Sequence, residues 1–317
     1  MACPILPSSL SYLTLGAETT WGTVPGSPTY VHCPVGSYGV KLVTEHRQSD
    51  LYTGNEFQKH NQKRRGNPQG QLVAPMFGWH PSGLGESLAK YLFDWGFAIP
   101  GSDPCTRDSK FAEWAEGPDV ANRRHTGLRV ASATLSGDTG SGQVQIALDL
   151  QGKDEATFAT AQTVPDDMNS LVDFDFSDVT LTLGGSSVAI RSFELKVDYS
   201  MQPLFENDTR PVYLLADMTS YTFNVTLAKV DDTYAALNRA LTNSELTAVL
   251  TMKGSHEGTG TVATNDTNLA ITMARCALTD DTPSFNKGQA VEETLNFLVL
   301  KPDTTDNPLQ AVWSDIA

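Results

Sequence analysis

The residues most able to do chemistry are scattered along this chain. The six histidines form no H-x-H or H-E-x-x-H pattern, so metal-site spacing is absent; they are His32, His46, His60, His80, His125 and His256. No nucleophile elbow, Walker loop or strand-borne dinucleotide loop occurs. Gly137-Asp138-Thr139-Gly140 contains the Asp-Thr-Gly of aspartic proteases, but between two strand patterns it predicts a hairpin turn. The sequence therefore predicts no catalytic residue, no metal, no cofactor and no enzyme.

Two clusters of charge have other interpretations. Asp173, Asp175 and Asp178 lack the glycine and distal glutamate of a calcium loop, which favours a solvated face. The second cluster is basic and comprises Lys59, Lys63, Arg64 and Arg65. Nuclear localisation or DNA contact is one interpretation. Because the chain is acidic, a loop that contacts an acidic neighbouring subunit is a better interpretation. A loop that is merely solvated is an equally good one.

Length and charge narrow the class of protein. The 317 residues predict about two domains at roughly 150 residues each. The net charge is −15, and an acidic chain does not wrap nucleic acid, since affinity for DNA comes largely from Lys and Arg. No long apolar run predicts a transmembrane helix, and the N-terminus does not look like a signal peptide. The four cysteines lie far apart, which favours reduced thiols over a zinc ribbon or disulfide scaffold.

The elements that must carry any site are mostly strands. Apolar and polar residues alternate with a period of two in residues 143–151, 179–183, 193–199 and 221–227. Such alternation predicts strands with one buried and one solvated face, as in antiparallel sheets. Gly184-Gly185 follows one of these segments and predicts a tight hairpin turn.

Two segments have helical periodicity. An apolar stripe runs from Leu84 to Trp95, with Ser82 as a candidate N-cap and Gly96 as a candidate stop. A shorter stripe, over residues 234–241, follows two aspartates well placed at a helix N-terminus. Each predicted helix follows an alternating strand.

This order of elements occurs twice, which predicts a duplicated α+β unit. The strand at Val40 and the strand at Phe193 are each followed, at equal spacing, by a Leu-aromatic pair, a polar loop, a second strand and a helix. We predict a first domain over residues 1–160 and a second over 161–317. Within the first domain, residues 45–69 are predicted as a long polar loop. Residues 98–125 are predicted as a surface insertion, with no counterpart of similar composition in the second half.

The motifs resemble those of one family. Residues 16–25, GAETTWGTVP, resemble the G-x-E-x-x-x-G-T-x-P opening of tail tube proteins from long-tailed bacteriophages. The resemblance continues in the strand from Gly70 with its following helix, in the TGLRVASATLSG segment at 126–137, and in the pattern from Phe193 onward. Each motif is short, but their order covers nearly the whole chain. The chain thus resembles a major tail tube protein of the two-domain type.

The resemblance implies a mainly β fold with two tandem tail-tube-type β-sandwich domains, each with a flanking helix. Their strands would join an inner β-barrel, in stacked rings that form a conduit for the genome. Because a ring needs six tube domains, two per chain imply three chains in a pseudo-hexamer, with a hexamer as the alternative. The implied location is the virion tail, after synthesis in the host cytoplasm. Implied partners are the tape measure protein inside the tube and terminator and tip proteins at its ends.

Acidic residues facing a lumen would repel phosphate, so DNA would slide without adhering. The predicted lumen-facing candidates occupy the polar positions of two repeated strands and are Lys41, Glu45, Glu194, Lys196 and Asp198. An outer solvated face is the competing interpretation. Two other classes remain: a tube of a contractile secretion apparatus, and a carbohydrate-binding β-sandwich or adhesin. The adhesin would need exposed aromatics, for which the candidates are Trp79, Trp95, Trp114 and Trp313.

Overall fold

The computed structural model describes residues 12–48, 61–80, 84–97, 108–115, 122–158, 168, 170–217, 219–227, 245–254, 266–284, 292–302 and 308–316. Within these ranges, the first half of the chain contains ten strands and one helix: β1 Tyr12–Ala17, β2 Tyr30–Cys33, β3 Ser37–Tyr38, β4 Lys41–Gln48, β5 Asn61–Pro75, β6 Phe77–Trp79, α1 Leu84–Phe97, β7 Lys110–Ala115, β8 Asn122–Asp138, β9 Val144–Gln151 and β10 Asp154–Phe158.

The second half adds eleven strands within the described ranges: β11 Val172–Asp173, β12 Val179–Leu183, β13 Ser186–Val188, β14 Ile190–Asp198, β15 Gln202–Leu204, β16 Tyr213–Leu215, β17 Ser220–Leu227, β18 Glu245–Lys253, β19 Asp266–Ser284, β20 Glu292–Val299 and β21 Leu309–Ile316. The alternating segments of the sequence are confirmed as β9, β12, β14 and β17. The turn between β12 and β13 is confirmed as a hairpin, with Gly184 and Gly185 both at positive φ.

Eight strands form one continuous antiparallel sheet, which we call the main sheet. Their order is β4-β5-β9-β8-β14-β17-β20-β19. The first four strands come from the first half of the chain and the last four from the second. Both halves use the same internal order, and β8 pairs with β14 where they join. The boundary predicted near residue 160 stays a prediction.

Two long strands leave the main sheet and build a second layer. β8 pairs with β9 and β14 at its C-terminal end, and with β7 and β10 nearer its N-terminal end. β19 pairs with β20 toward its C-terminal end and with β18 and β21 toward its N-terminal end. A single strand shared by two layers fixes how they pack, because backbone hydrogen bonds hold it in both.

The core lies between these layers, and α1 closes one side of it. Leu88, Leu92 and Phe93 of α1 are buried, and each contributes about 1.5–3 kcal/mol by leaving water. Gly96 is not the stop predicted from the sequence, since α1 continues to Phe97. A Cβ on Gly96 would lie 2.8 Å from Leu148 Cδ2, so this glycine allows the helix to approach β9 closely. Its carbonyl accepts a 2.8 Å hydrogen bond from the Tyr199 hydroxyl of the second half.

The structure differs from the sequence-based prediction in two segments of the first half. Residues 45–69 are not one long loop, because β4 extends to Gln48 and β5 begins at Asn61, giving a paired hairpin. Residues 98–125 are not a surface insertion throughout: residues 110–115 form β7, with Phe111 fully buried. β7 pairs with β8 as β18 pairs with β19, so this part has a counterpart in the second half. The helix predicted at 234–241, and the cap at Ser82, lie outside the described residues.

Candidate functional site

One face of the main sheet is polar and is not packed against the core. On β14, Phe193, Leu195 and Val197 are buried, while the residues between them lie on the opposite face. That alternation brings together three of the predicted lumen residues, Glu194, Lys196 and Asp198. Strand pairing then extends the polar face across neighbours that are mostly Ser, Thr and Asn; the residues opposite are Ser132, Thr134 and Ser136 on β8, and Ser220, Thr222 and Asn224 on β17. Asn224 Nδ2 donates a 3.2 Å hydrogen bond to Glu194 Oε1.

The other two predicted lumen residues lie on the same polar face, at its outer strand. Lys41 and Glu45 are exposed on β4, and Glu45 lies opposite Arg65 of β5. β8 and β19 each contain a bulge at the same place relative to the strand beside them, and these bulges align the two halves of the chain. When the alignment is continued through the strand pairings, Lys41 of β4 occupies the position of Lys196 of β14. The sequence repeat predicts Glu194 as its counterpart. A shift of two residues keeps a side chain on the same face, so the assignment to this face is unaffected.

Charge on this face is sparse and partly compensated. Asp149 of β9 accepts hydrogen bonds from Gln71 Nε2, at 3.0 Å, and from the hydroxyl of Ser132. Arg191 pairs with Glu292 at 2.7 Å near the far end of the sheet. The described charged residues of the face include more carboxylates than cations, set among hydroxyl and amide side chains. Such a surface offers phosphate hydrogen bonds but little net attraction.

The basic cluster belongs to the β4–β5 hairpin. Arg65 is exposed, and its guanidinium carbon lies 5.3 Å from the centre of the Phe205 ring. The next residue, Gly66, donates its backbone N–H to Thr209 O at 2.9 Å, so the segment between β14 and β17 contacts this hairpin. Lys63 and Arg64 lie on β5, and Lys59 lies outside the described residues. Their predicted contact with a neighbouring subunit stays a prediction.

The two motifs of the family resemblance contact each other through Glu18. Its Oε2 accepts from Gly22 N at 2.9 Å and from Ser109 Oγ at 2.8 Å, and its Oε1 accepts from Gly127 N at 2.8 Å. Trp21 Nε1 donates to Gly127 O at 2.9 Å. Gly127 adopts φ +67°, which favours glycine, and a Cβ there would lie 2.7 Å from Lys153 Cβ. These motif residues therefore hold the second layer together. The sequence showed the pattern but not this structural reason for it.

A buried polar network stands beside the start of β4. The Tyr38 hydroxyl and His125 Nδ1 are 2.7 Å apart, and His125 Nε2 lies 3.2 Å from Glu155 Oε2. His125 is 1% exposed, and burial lowers its pKa, so the imidazole is neutral near pH 7. Burial, and secondarily Glu155, hold the pKa of Tyr38 well above its usual value. The sequence did not predict this network, because its members lie on three separate strands, β3, β8 and β10.

The residues considered for catalysis have structural roles. Asp138 ends β8, and its Oδ1 accepts from Gly140 N at 2.7 Å and from Ser141 N at 2.8 Å, which confirms the predicted hairpin turn. Hydrogen bonds from Ser141 and Gly140 lower the pKa of Asp138. Asp175 accepts from Ser177 N at 2.7 Å and caps a 3-10 turn. Within the described ranges, no three His, Cys, Asp or Glu side chains are grouped to hold a metal ion.

The main sheet has two edges where strands pair on one side only. Among the described strands, β4 pairs with β5 alone, and the segment Leu278–Ser284 of β19 pairs with β20 alone. Strand edges that are open on one side favour pairing with another chain.

The four tryptophans considered for sugar binding offer no exposed platform, since each is buried or half-buried. Trp95 is 7% exposed, and Trp114 stacks on Tyr38.

The described part of the chain thus presents a polar sheet face and two strand edges that are open on one side. A scan against protein-family models matches residues 8–299 to the phage tail tube protein family. The match covers most of the 317 residues, and the chain belongs to that family. It is therefore a structural virion component that assembles with other tail proteins into a tube. The family is not known to be enzymatic. A search of curated proteins found no match.

None of the helices in the described ranges has the length and apolar character needed to cross a membrane.

Proposed function

We propose that three copies of this chain close into a ring of pseudo-sixfold symmetry, and that such rings stack into the tail tube of a long-tailed phage. The observation that carries the proposal is the repeated strand order of the main sheet. Each half contributes four strands in the same order, as expected if residues 1–160 and 161–317 are two tube domains. The β8–β14 pairing then supplies, within one chain, the contact that a ring needs between consecutive domains.

The same contact repeats between chains in this proposal. β4 is the counterpart of β14, and β19 is the counterpart of β8. The open segment Leu278–Ser284 of one copy would therefore pair with β4 of the next copy, as β8 pairs with β14. Carrying over the β8–β14 register places Lys41 of one chain opposite Thr282 of its neighbour. Closing the sheet into a barrel removes both open edges, which otherwise risk uncontrolled pairing.

Packing supports one assignment of the inner face of such a barrel. The apolar face of the main sheet is covered by α1 and the second layer, so those elements would lie on the outside. The polar face, with Lys41, Glu45, Glu194, Lys196 and Asp198, would then line the bore. Its hydroxyl and amide side chains, with an excess of carboxylates, suit passage of DNA without adhesion. The tube would deliver the genome, enclose a tape measure protein, and end at terminator and tip proteins.

The β4–β5 hairpin lies at one end of the main sheet, the end where β14 passes to β17. In the proposed tube this end faces the next ring or chain, so Lys59, Lys63, Arg64 and Arg65 would contact a neighbouring copy. Within the chain, the segment between β14 and β17 already contacts the hairpin through Gly66 and Arg65. That contact is an example of the packing expected between equivalent segments of neighbouring domains.

Electron cryo-microscopy of tubes assembled from the full chain tests the ring. We expect threefold rings with a pseudo-sixfold outline, and native mass spectrometry of dissociated rings should give three chains. Rings of six full-length chains would overturn the three-chain assignment while leaving the tube itself in place. A map in which the polar face of β14 points outward would overturn the assignment of the bore.

A further inference from the structure

The open edge of β4 is already occupied at one position. Gly39 N donates to Gln71 O at 2.8 Å, and the alternation of an antiparallel ladder then points the backbone groups of Lys41 and Val43 toward β5. The backbone of Leu42 points the other way, toward the open side. There its N–H donates a 2.9 Å hydrogen bond to Glu155 Oε2 of β10, a residue far along the chain.

The carboxylate is held in place by the buried network beside it. A carboxylate can only accept hydrogen bonds, so His125 Nε2 carries the proton that it donates to Glu155. His125 Nδ1 then accepts from the Tyr38 hydroxyl at 2.7 Å, and Tyr38 stacks on Trp114. The Glu155 side chain is 23% exposed. These partners fix the orientation of the Glu155 carboxylate, which is therefore held in position to accept the hydrogen bond from the Leu42 N–H.

The equivalent backbone group in the second half has a different partner. In the register set by the strand pairings, Leu42 corresponds to Val197 of β14. Val197 lies opposite Ala133 of β8, and Tyr199 N, two residues on, donates to Ala131 O at 2.9 Å. Residues two apart in a ladder point the same way, so the N–H of Val197 faces β8. The donor bound by Glu155 in β4 is thus the donor that β14 uses for strand pairing.

We propose that Glu155 caps the open edge of β4 in the separate chain and is displaced when β19 of a second copy pairs there. This inference rests on the proposed ring closure. A charged side chain that blocks an edge strand is one way in which proteins prevent unwanted pairing. The cap raises the protein concentration needed for assembly, because a strong hydrogen bond to a carboxylate must be exchanged for a backbone one. Assembly of this chain therefore depends on a partner that offers a complete complementary edge, not on any exposed strand.

The test compares Glu155→Ala with Asp94→Ala, which removes the same charge from the exposed surface of α1, away from the polar face and both open edges. The measured quantity is the lowest protein concentration at which the purified chain polymerises. Loss of one charge-assisted hydrogen bond predicts a threshold about tenfold or more lower for Glu155→Ala, and little change for Asp94→Ala. A folded Glu155→Ala chain with an unchanged or higher threshold would overturn the cap.

Two further measurements hold even where Glu155→Ala folds poorly. In the unassembled natural chain, hydrogen exchange at the Leu42 amide should be slow; exchange at the rate of an unprotected amide would overturn the cap. The double variant Lys41→Cys, Thr282→Cys should form disulfides between chains in tubes, because the non-hydrogen-bonded register brings Cα atoms to about 4.5 Å. Its failure would overturn the ring closure, whereas disulfides with an unchanged Glu155→Ala threshold would reject the cap alone.

Discussion

Replacing Glu18 by alanine should destabilise the folded chain strongly. Its two carboxylate oxygens accept three hydrogen bonds, from Gly22 N, Ser109 Oγ and Gly127 N, at 2.8–2.9 Å. Hydrogen bonds to a charged group contribute about 1.5–3 kcal/mol each. The three are not additive, since they share one side chain and water can replace some of them. We therefore expect a loss of about 3 kcal/mol in the free energy of unfolding.

Urea unfolding of the unassembled chain measures this loss. With a slope of about 3 kcal/mol per M, the midpoint should fall by about 1 M. Glu206→Gln is the matched control, because it neutralises an exposed carboxylate in the segment between β14 and β17. A Glu18→Ala midpoint within about 0.2 M of the natural chain, equal to about 0.6 kcal/mol on the same slope, would refute the structural role of Glu18.

Three further predictions concern the bore, the hairpin and the thiols. Glu194→Lys with Asp198→Lys should slow DNA ejection, most at low salt where counterion release is most favourable; assembled virions with unaltered ejection kinetics at low salt would show that these residues do not face DNA. Serine at Lys59, Lys63, Arg64 and Arg65 should leave the unfolding midpoint nearly unchanged but slow polymerisation, and tubes of normal length and salt resistance would count against it. Burial raises the pKa of Cys33 and of Cys276 to about 12, so at pH 8 iodoacetamide should label both only after unfolding; mass spectrometry finding them labelled in the native chain would contradict this.

The sequence predicted most strongly wherever one face of an element is buried. The strands β9, β14 and β17 could be predicted from the sequence, because burial on one face selects apolar residues at every second position. The helix from Leu84 could be predicted because burial of one face selects apolar residues at helical spacing. In β5 the residues from Asn61 to Gln69 have no such alternation, so the sequence predicted a loop. Their strand exists because β4 supplies a backbone partner, and backbone pairing leaves no signature in side-chain type.

The sequence by itself determined the family, the mainly β character of the fold, and the polar positions of the strands, since each depends on local pattern or motif order. Only the tertiary structure decided which strands lie side by side. It joined the two halves through β8 and β14 and brought Glu155 of β10 to the backbone of Leu42. Among the described strands, it left β4 and part of β19 with one open side. These contacts link residues far apart in the chain. Their energies come from backbone groups and single carboxylates, whose partners no local pattern records.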